Sequence, residues 1–337
     1  MNLVRRVGIL ARGARPAKAK TAAASRWPGR DLRVSRGFSL SDSASQLTSA
    51  AMKVIQGKTA VITGAGSGLG RAISLRLAKE RANLHLLDID LPKAEAVAAE
   101  CRELGVRAVA ARCDVSQLGE LERTSRDILG QWSAIDILIN NAGIAWYGHT
   151  LKMPTDAWER LLDVNLHAPI HLTRLLLPTL LQRPEAHVVN MASISGWVCS
   201  ARFAAYHVSK FGLVGFSEAM RAEYLRRGVG FTVVCPGPVL TNLYRSAENS
   251  YKNRATPEPP AWLCTTPERV AEATVRAIYG NRAVTIVSPM AWLLYYSKRL
   301  APWIFYTLHH FGQKRDEEVA AKRAAKRAQQ SNRRRAA

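Results

Sequence analysis

One glycine-rich turn constrains the fold of this chain more than any other feature. Residues 63–70 read Thr-Gly-Ala-Gly-Ser-Gly-Leu-Gly and directly follow the short apolar run at 59–62. An apolar run bounded by glycine predicts a buried strand, and the apolar periodicity after the turn predicts a helix from about Leu69 to Arg81. Glycine allows backbone to approach a ligand closely, and a helix N-terminus attracts phosphate charge. The turn therefore predicts a strand–turn–helix unit that binds a phosphate-bearing ligand.

The rest of the chain continues the alternation of strand and helix. Further strands are predicted at 83–87, 107–112, 135–139, 187–191, 231–235 and 283–287, with a helix at about 92–104. Right-handed crossovers between parallel strands place helices on both faces of a sheet. The sequence therefore predicts an α/β fold: a doubly wound (Rossmann) parallel sheet of about seven strands in a single domain. Its ligands are expected outside the carboxyl ends of the strands.

The net charge of +22 is concentrated at the two ends of the chain. Residues 1–52 contain ten Lys/Arg and two Asp, and residues 298–337 contain eleven Lys/Arg and three acidic residues. A nucleic-acid-binding domain carries its basic residues on a folded face, so this distribution argues against nucleic acid as a partner. The five cysteines show neither disulfide density nor metal-ligand spacing, so we predict no metal site and a reducing compartment.

The composition predicts four segments along the chain. Residues 1–51 are a basic extension, either disordered or a targeting leader, because arginine is frequent and acidic residues are rare. Arg36–Ser39 resembles a mitochondrial cleavage site, although Met52 leaves an upstream start assigned in error as an alternative. Residues 52–290 form the predicted catalytic domain, followed by an apolar, aromatic segment at 291–312 and a basic tail at 313–337. The predicted location is mitochondrial or cytoplasmic.

The C-terminal segment also predicts contact with a membrane surface. The apolar runs Met290–Tyr296 and Leu300–Phe311 are each shorter than the roughly 18 apolar residues of a spanning helix. An apolar element beside a basic tail is typical of peripheral attachment, here through residues 290–337. A dimer contact and a wall over the substrate cleft are the alternatives.

Three further motifs identify a family. Asn-Asn-Ala-Gly occupies Asn140–Gly143 after the fourth predicted strand, Ser193 stands 13 residues before Tyr206, and Lys210 follows four residues later. With the Thr-Gly-x3-Gly-x-Gly turn, this pattern resembles the short-chain dehydrogenase/reductase family over about residues 57–290. The resemblance implies an NAD(P)-dependent oxidoreductase that interconverts a secondary alcohol and a ketone, and we expect a homo-oligomer, in the simplest case a homodimer.

The resemblance assigns catalytic roles to Ser193, Tyr206, Lys210 and Asn165. Tyr206 and Lys210 are four residues apart, so on a helix they face one cleft. A nearby ammonium favours phenolate, so we expect the pKa of Tyr206 to be lowered by about 1 to 3 units. Ser193 would then bind the substrate oxygen, and Asn165 would hold a water that relays protons. Ser195 is the alternative serine, which the spacing disfavours.

The same resemblance implies the contacts of a dinucleotide. The expected cofactor-binding residues are Gly64, Ser67, Gly68, Leu69, Gly70, Asp88, Asp114, Val115, Asn141, Gly143, Tyr206, Lys210, Pro236, Val239 and Thr241. Asp88 would accept hydrogen bonds from the adenosine ribose and repel a 2′-phosphate, and no Lys or Arg lies at 65–69 or at the two positions after Asp88. The cofactor is therefore predicted to be NAD rather than NADP; a cap of the loop by Asp88 is the alternative.

Aromatic residues near the predicted cleft indicate the substrate class. The expected substrate contacts are Ser193, Trp146, Tyr147, Trp197 and Tyr206, with a lid-like insert at Leu240–Leu263. An aromatic entrance to the cleft suits a bulky apolar substrate of the steroid, retinoid or long-chain lipid type. The alternative explanation for these aromatic residues is ordinary packing in the lid and the core. An NADP-dependent carbonyl or 3-oxoacyl reductase is the second enzymatic hypothesis. A non-catalytic dinucleotide-sensing or scaffold protein is the hypothesis from another class.

Overall fold

The structure, a computed structural model, describes residues 51–250, 256–303 and 305–307. The predicted leader, apart from residue 51, and the predicted basic tail at 313–337 lie outside the described residues, as does part of the segment 291–312.

Seven parallel strands form the central sheet in the order β3-β2-β1-β4-β6-β7-β9. The strands are β1 (Thr59–Thr63), β2 (Asn83–Asp88), β3 (Ala108–Arg112), β4 (Ile137–Asn140), β6 (Ala186–Met191), β7 (Val229–Pro236) and β9 (Val284–Val287). Two short strands, β5 (Trp146–Tyr147) and β8 (Glu248–Asn249), pair separately. The strand order reverses at β1 and β4, where an open α/β sheet leaves its ligand crevice. The predicted doubly wound sheet of seven strands is confirmed.

The helices that flank the sheet follow the strands in alternation. They are α1 (Gly68–Lys79), α2 (Leu91–Glu103), α3 (Leu118–Gln131), α4 (Thr155–Leu162), α5 (Ala168–Leu180), α6 (Ala204–Tyr224), α7 (Pro267–Tyr279) and α8 (Pro289–Leu300). The first helix ends slightly before its predicted end because Arg81 has a φ of +64°, in the left-handed region.

Apolar layers cover both faces of the sheet. On one face, Ile73 and Leu77 of α1 belong to the same buried cluster as Ile62 of β1. On the other face, Leu176 of α5 belongs to the cluster of Val61. Neighbouring residues of a strand point to opposite faces, so this alternation along β1 shows that the sheet is buried on both sides. Such burial holds the carboxyl ends of the strands rigidly at one edge.

The last described helix, α8, has an exposed aromatic and aliphatic face. Trp292, Leu293, Tyr296 and Leu300 are all substantially exposed. Within the described ranges, no helix has the length and apolar character needed to cross a bilayer.

Candidate active site

The glycine turn after β1 is too tightly packed to accept side chains. A Cβ on Gly70 would overlap the carbonyl oxygen of Gly64, and a Cβ on Gly64 would lie 2.8 Å from Cα of Ala142. Gly64 also has a φ of +62°, which favours glycine. The turn therefore brings bare backbone and the N-terminus of α1 to the edge of the sheet, an arrangement that fits a pyrophosphate.

Asn141 ties this turn to the loop after β4. Its Nδ2 donates to the carbonyl oxygens of Thr63 and Gly64, each at 3.0 Å. In return, the Thr63 hydroxyl accepts from the backbone N–H groups of Asn141 and Ala142, each at 3.0 Å. The side chain predicted to contact the cofactor therefore also holds two crevice loops together, a role that only the folded structure reveals.

A cavity of about 330 Å³ opens at this edge of the sheet. Its lining includes these predicted cofactor-binding residues: Gly64, Ser67, Gly68, Leu69, Asp88, Asp114, Val115, Asn141, Gly143, Tyr206, Lys210 and Thr241. Among the described residues, the predicted contacts Gly70, Pro236 and Val239 are not part of that lining. Gly70 packs beneath Gly64, and Val239 is buried in a bridge with Thr265. A larger, shallower depression of about 710 Å³ lies along α7 and β9, and its lining contains none of the predicted catalytic residues within the described ranges.

The cavity also has lining residues that sequence spacing did not identify. They are Ile89, Cys113, Ala142, Ile144, Arg160, Val164, Met191, Ala192, Asn242, Leu243 and Ser246. Ile89 and Cys113 are next to predicted contacts and could have been found by extending the motifs. Arg160 lies on α4, a helix that no motif marks, so only the fold brings it to the cavity.

Both carboxylate oxygens of Asp88 accept backbone hydrogen bonds. Oδ2 accepts from the N–H of Gly66 at 2.8 Å, and Oδ1 accepts from the N–H of Asp90 at 3.0 Å. The cap that the sequence left as an alternative is therefore present, and Asp88 also lines the cavity. Each carboxylate oxygen can accept more than one bond, so the cap leaves capacity for a ribose.

A lysine lies closer to Asp88 than the local sequence indicated. Lys93 contributes its Cβ to the packing around Gly66 and its ammonium forms an ion pair with Asp90 at 2.5 Å. A cation is thus present near Asp88, but it is paired with a carboxylate.

Tyr206 and Lys210 share one face of α6, as their spacing predicted. The Lys210 Nζ lies 5.5 Å from the centroid of the Tyr206 ring and donates to the carbonyl oxygen of Met191 at 2.9 Å. Lys210 is only 4% exposed, and this burial lowers its pKa to about 8. Its ammonium is therefore held at the end of β6 and remains mostly charged at neutral pH.

The pKa of Tyr206 is shifted in the direction opposite to the prediction. Burial raises it above the usual value for a phenol, nearby Tyr244 raises it further, and a hydrogen bond with the Ser193 side chain opposes the rise. The predicted lowering of the Tyr206 pKa is wrong for the chain by itself, because desolvation of the phenol dominates the shift. The Lys210 ammonium is directed at the carbonyl oxygen of Met191. Near neutral pH the phenol therefore keeps its proton.

Ser193 begins the tight turn after β6. Its Oγ accepts from the backbone N–H of Ser195 at 3.1 Å, and its side chain lies close enough to the phenol of Tyr206 to lower the pKa of that phenol. The carbonyl oxygen of Ser195 lies 3.0 Å from Nδ1 of His207 on α6. Of the two candidate serines, Ser193 is therefore the one whose side chain meets Tyr206.

Asn165 is fully buried in a π-helical turn, Asp163–His167, between α4 and α5. Its Oδ1 accepts from the N–H of Ile144 at 2.8 Å, and its Nδ2 donates to the Ile144 carbonyl at 2.9 Å and to Ser209 Oγ at 3.2 Å. Ser209 in turn donates to the carbonyl oxygen of Tyr206 at 2.8 Å. Asn165 thus joins the loop after β4 to the helix of Tyr206; that it holds a water stays a prediction.

Of the described aromatic residues predicted to contact substrate, Tyr206 lines the cavity, whereas the other three do not. Trp146 is buried in β5, and the Tyr147 ring packs at 5.1 Å from that of Phe203. Phe203 lies 6.3 Å from the Tyr206 ring. In the part of the chain that the structure describes, Trp146, Tyr147 and Trp197 are not lining residues. Their contact with substrate stays a prediction.

Part of the predicted lid closes over the cavity. Asn242, Leu243 and Ser246 line it, and burial raises the pKa of the Tyr244 phenol beside Tyr206. Residues 251–255 of the lid lie outside the described residues. No group of three or more His, Cys, Asp or Glu side chains in the described ranges could hold a metal ion.

Comparison with known proteins relates this site to one family. The family described as short chain dehydrogenase matches residues 58–252. D-beta-hydroxybutyrate dehydrogenase from Cupriavidus necator is 36% identical over 193 residues, which cover 56% of this chain and 74% of that protein. Retinol dehydrogenase 10-B from Danio rerio is 31% identical over 274 residues, covering 74% of this chain and 80% of that protein.

Solved structures share the fold and differ in their bound cofactor. A short chain dehydrogenase/reductase from Burkholderia phymatum in complex with NAD has a TM-score of 0.66 at 26% identity, covering 74% of this chain and 95% of that chain. A metagenomic short-chain oxidoreductase in complex with NADP has a TM-score of 0.58 at 27% identity, covering 69% of this chain and 96% of that chain.

Proposed function

Since this chain belongs to the short-chain dehydrogenase/reductase family and is an NAD(P)-dependent oxidoreductase acting on CH–OH groups, we propose that it interconverts a bulky, apolar secondary alcohol and the corresponding ketone. The observation that carries the proposal is the half-buried Tyr206, which lines the cavity one helical turn from Lys210 and lies close enough to the Ser193 side chain for the pKa of its phenol to be affected. The domain bounds of 52–290 remain part of the proposal.

Tyr206 acts as the proton donor in the reductive direction. The phenol keeps its proton near neutral pH because burial raises its pKa, and it can pass that proton to a carbonyl oxygen held by the Ser193 hydroxyl. A bound nicotinamide supplies or accepts the hydride. In the oxidative direction Tyr206 must become phenolate, which the charged Lys210 favours below a pH of about 8.

The cofactor we propose is NAD. The glycine turn would hold the pyrophosphate, Asp88 the adenosine ribose, and the cavity wall at Asp114 and Val115 the adenine. Lys93 is paired with Asp90, so in this conformation it does not offer a free ammonium to a 2′-phosphate.

An apolar substrate is supported by apolar side chains in the lining of the cavity. Ile144, Val164, Met191 and Leu243 line the cavity and are not among the predicted dinucleotide contacts, and the phenol of Tyr244 lies close to Tyr206. The relative named retinol dehydrogenase is consistent with this class.

A short hydroxy acid is a second candidate substrate. Arg160 lines the same cavity, and a guanidinium is well suited to a carboxylate. The relative named D-beta-hydroxybutyrate dehydrogenase is consistent with this candidate.

We also propose peripheral attachment to a membrane and self-association. Leu293 and Leu300 of α8 are 66% and 81% exposed, and Lys298 and Arg299 lie between them in the sequence. On α6, Val208 and Phe211 expose apolar surface that a second copy of the chain could cover in a homodimer. A mitochondrial or cytoplasmic location remains proposed from the composition of the N-terminal residues.

Turnover assays test the proposal directly. Retinoids, hydroxysteroids, long-chain alcohols and short hydroxy acids would each be assayed with NAD and with NADP by following reduced-cofactor absorbance. Tyr206→Phe deletes the proton donor and keeps the ring, so turnover should fall at least about 100-fold while cofactor affinity changes little. Tyr224→Phe, the same change at the far end of α6, should retain turnover. A Tyr206→Phe variant with more than about a tenth of the wild-type rate would falsify the proposed mechanism.

A further inference from the structure

Trp197, which follows the Ser193 turn, is anchored from two sides. Its Nε1 donates to Sγ of Cys235 at 3.2 Å. Its ring meets Tyr295 of α8 edge to face, with centroids 5.1 Å apart and an interplanar angle of 87°. The Arg299 guanidinium lies 5.2 Å from the Trp197 ring and 4.8 Å from the Tyr295 ring. The tryptophan is therefore held in one orientation by β7 and by α8.

Cys235 connects this tryptophan to the serine. The thiol lies in β7 and is fully buried. The backbone N–H of Ser193 lies close enough to the sulfur to lower the pKa of the thiol, although burial dominates and raises that pKa to about 12, so the thiol is uncharged near neutral pH. One sulfur atom thus accepts from the Trp197 indole and lies beside the backbone of Ser193.

The N–H of Ala192 donates to the carbonyl oxygen of Val234 in β7 at 2.9 Å, and the Ser195 carbonyl oxygen lies 3.0 Å from Nδ1 of His207, so bonds of neighbouring residues restrain the backbone of Ser193. The Ser193 Oγ accepts from the Ser195 N–H within the same short turn, so this bond moves with the turn and does not attach it to the sheet. The Cys235 sulfur belongs to β7, the strand next to β6, and is rigid relative to the sheet. A displacement of about 1 Å at a reacting group can cost as much as 100-fold in rate.

We propose that Cys235 and Trp197 are positioning residues, which hold the Ser193 turn against the sheet so that the Ser193 hydroxyl meets the Tyr206 phenol, and that α8 supports them through Tyr295. This inference rests on the proposed role of Ser193. It assigns α8 a structural part in the active site, in addition to the exposed face that α8 presents.

A double-mutant cycle tests the positioning role. Trp197→Phe keeps a six-membered aromatic ring beside Tyr295 and deletes the N–H together with the rest of the five-membered ring, so kcat should fall about tenfold, or about 1.4 kcal/mol, while the Kd of NADH changes less than twofold. In a Ser193→Ala background the same change should have less than a twofold effect, because the position of an absent hydroxyl no longer matters. A full tenfold loss in that background, or no loss in the wild type, would overturn the proposal.

Trp132→Phe is the matched control. Trp132 is also buried, and its Nε1 donates to Nδ1 of His85 at 2.9 Å, but neither residue lines the 330 Å³ cavity. Trp132→Phe should lower Tm about as much as Trp197→Phe does and should leave kcat unchanged. If both variants lower kcat equally, the loss reports general destabilisation and the proposal fails.

Hydrogen exchange provides a readout that does not depend on turnover. In Cys235→Ala, the Trp197 indole loses its acceptor and the Ser193 backbone loses the adjacent thiol, so exchange in the segment 192–198 should accelerate about tenfold relative to wild type. Cys235→Ser, which retains an acceptor, should restore most of the protection. Unchanged exchange in Cys235→Ala would overturn the inference even if the enzyme is active. A wild-type enzyme inactive on every alcohol tested, with the expected exchange result, would instead count only against the proposed function.

Discussion

The Lys210 ammonium donates to the carbonyl oxygen of Met191, the last residue of β6. This bond directs the charge toward the end of the strand, and the ammonium lies 5.5 Å from the Tyr206 ring centroid. Helix α6 is thereby attached to the sheet at the residue that carries the charge. The same burial that makes this attachment rigid lowers the pKa of Lys210 to about 8, which means that the ammonium is destabilised in the folded protein.

Replacing Lys210 should therefore separate stability from activity. The folded-state pKa is below the usual lysine value, so at pH 7 the buried ammonium costs folding free energy. Lys210→Met removes the charge and the bond to the Met191 carbonyl oxygen, on a side chain one atom shorter. Because the lost bond offsets part of the relieved desolvation cost, the free energy of unfolding should rise by only about 1 to 2 kcal/mol. Turnover should fall at least about 100-fold. Denaturant unfolding without cofactor at pH 7 measures the first effect, and a less stable variant would contradict it.

Charge and hydrogen bonding at Asp88 should have separable effects. Asp88→Asn removes the charge but keeps one acceptor for the loop, so it should weaken a preference for NAD at little cost in stability. Asp88→Ala leaves the N–H groups of Gly66 and Asp90 without their carboxylate and should also destabilise the fold by about 1 to 3 kcal/mol. The ratio of kcat/KM for NAD and NADP, with Tm for each variant, measures both effects. A wild-type enzyme that prefers NADP tenfold would overturn the proposed ribose contact.

Two buried histidines should make the protein less stable in mild acid. Burial lowers the pKa of His187 to about 3 and of His85 to about 4, with smaller contributions from Arg221 and Arg107, respectively. Below a pH of about 6.5 the unfolded chain therefore binds more protons than the folded protein. The free energy of unfolding is unaffected by these histidines above the usual histidine pKa of about 6.5, and it declines as the pH falls below that value. Each histidine should contribute a slope approaching about 1.4 kcal/mol per pH unit.

Unfolding free energies between pH 6.5 and pH 5 measure this slope, because carboxylates titrate mainly at lower pH. His187→Gln retains a partner for the Thr232 hydroxyl, which lies 2.8 Å from His187 Nε2, and should reduce the slope by about half. A wild-type stability that is constant over this range would refute the prediction.

The exposed face of α8 should determine binding to anionic vesicles. Leu293→Glu with Leu300→Glu places charge on two strongly exposed apolar positions and should abolish sedimentation with vesicles that contain anionic lipid. Leu151→Glu, at a position 98% exposed elsewhere in the protein, is the matched control and should bind as wild type. Binding should weaken at high salt, because screening reduces the attraction of the basic residues to the lipid. If the wild-type protein does not sediment with anionic vesicles at low salt, the segment is better explained as a dimer contact or as a wall over the substrate cleft.

The sequence alone determined the features that depend on local spacing. The alternation of short apolar runs with helical periodicity predicts the seven parallel strands. The glycine spacing predicts a tight turn, in which a side chain has no room at 64 and 70. The separation of Tyr206 and Lys210 likewise predicts a shared helix face, because four residues make about one turn. These relationships extend over a few residues and do not depend on how the rest of the chain folds.

Only the tertiary structure decided the environment of those residues. The phenol of Tyr206 is desolvated by side chains from several elements, so burial rather than Lys210 sets the direction of its pKa shift. Trp197 bonds Cys235 across 38 positions of sequence, and Arg160 reaches the cavity from a helix without a motif. Desolvation and long-range contacts arise when segments that are distant in sequence pack together, and no local pattern predicts that packing. The sequence could therefore identify the proposed reacting groups, but not their protonation states or the contacts that hold them in place.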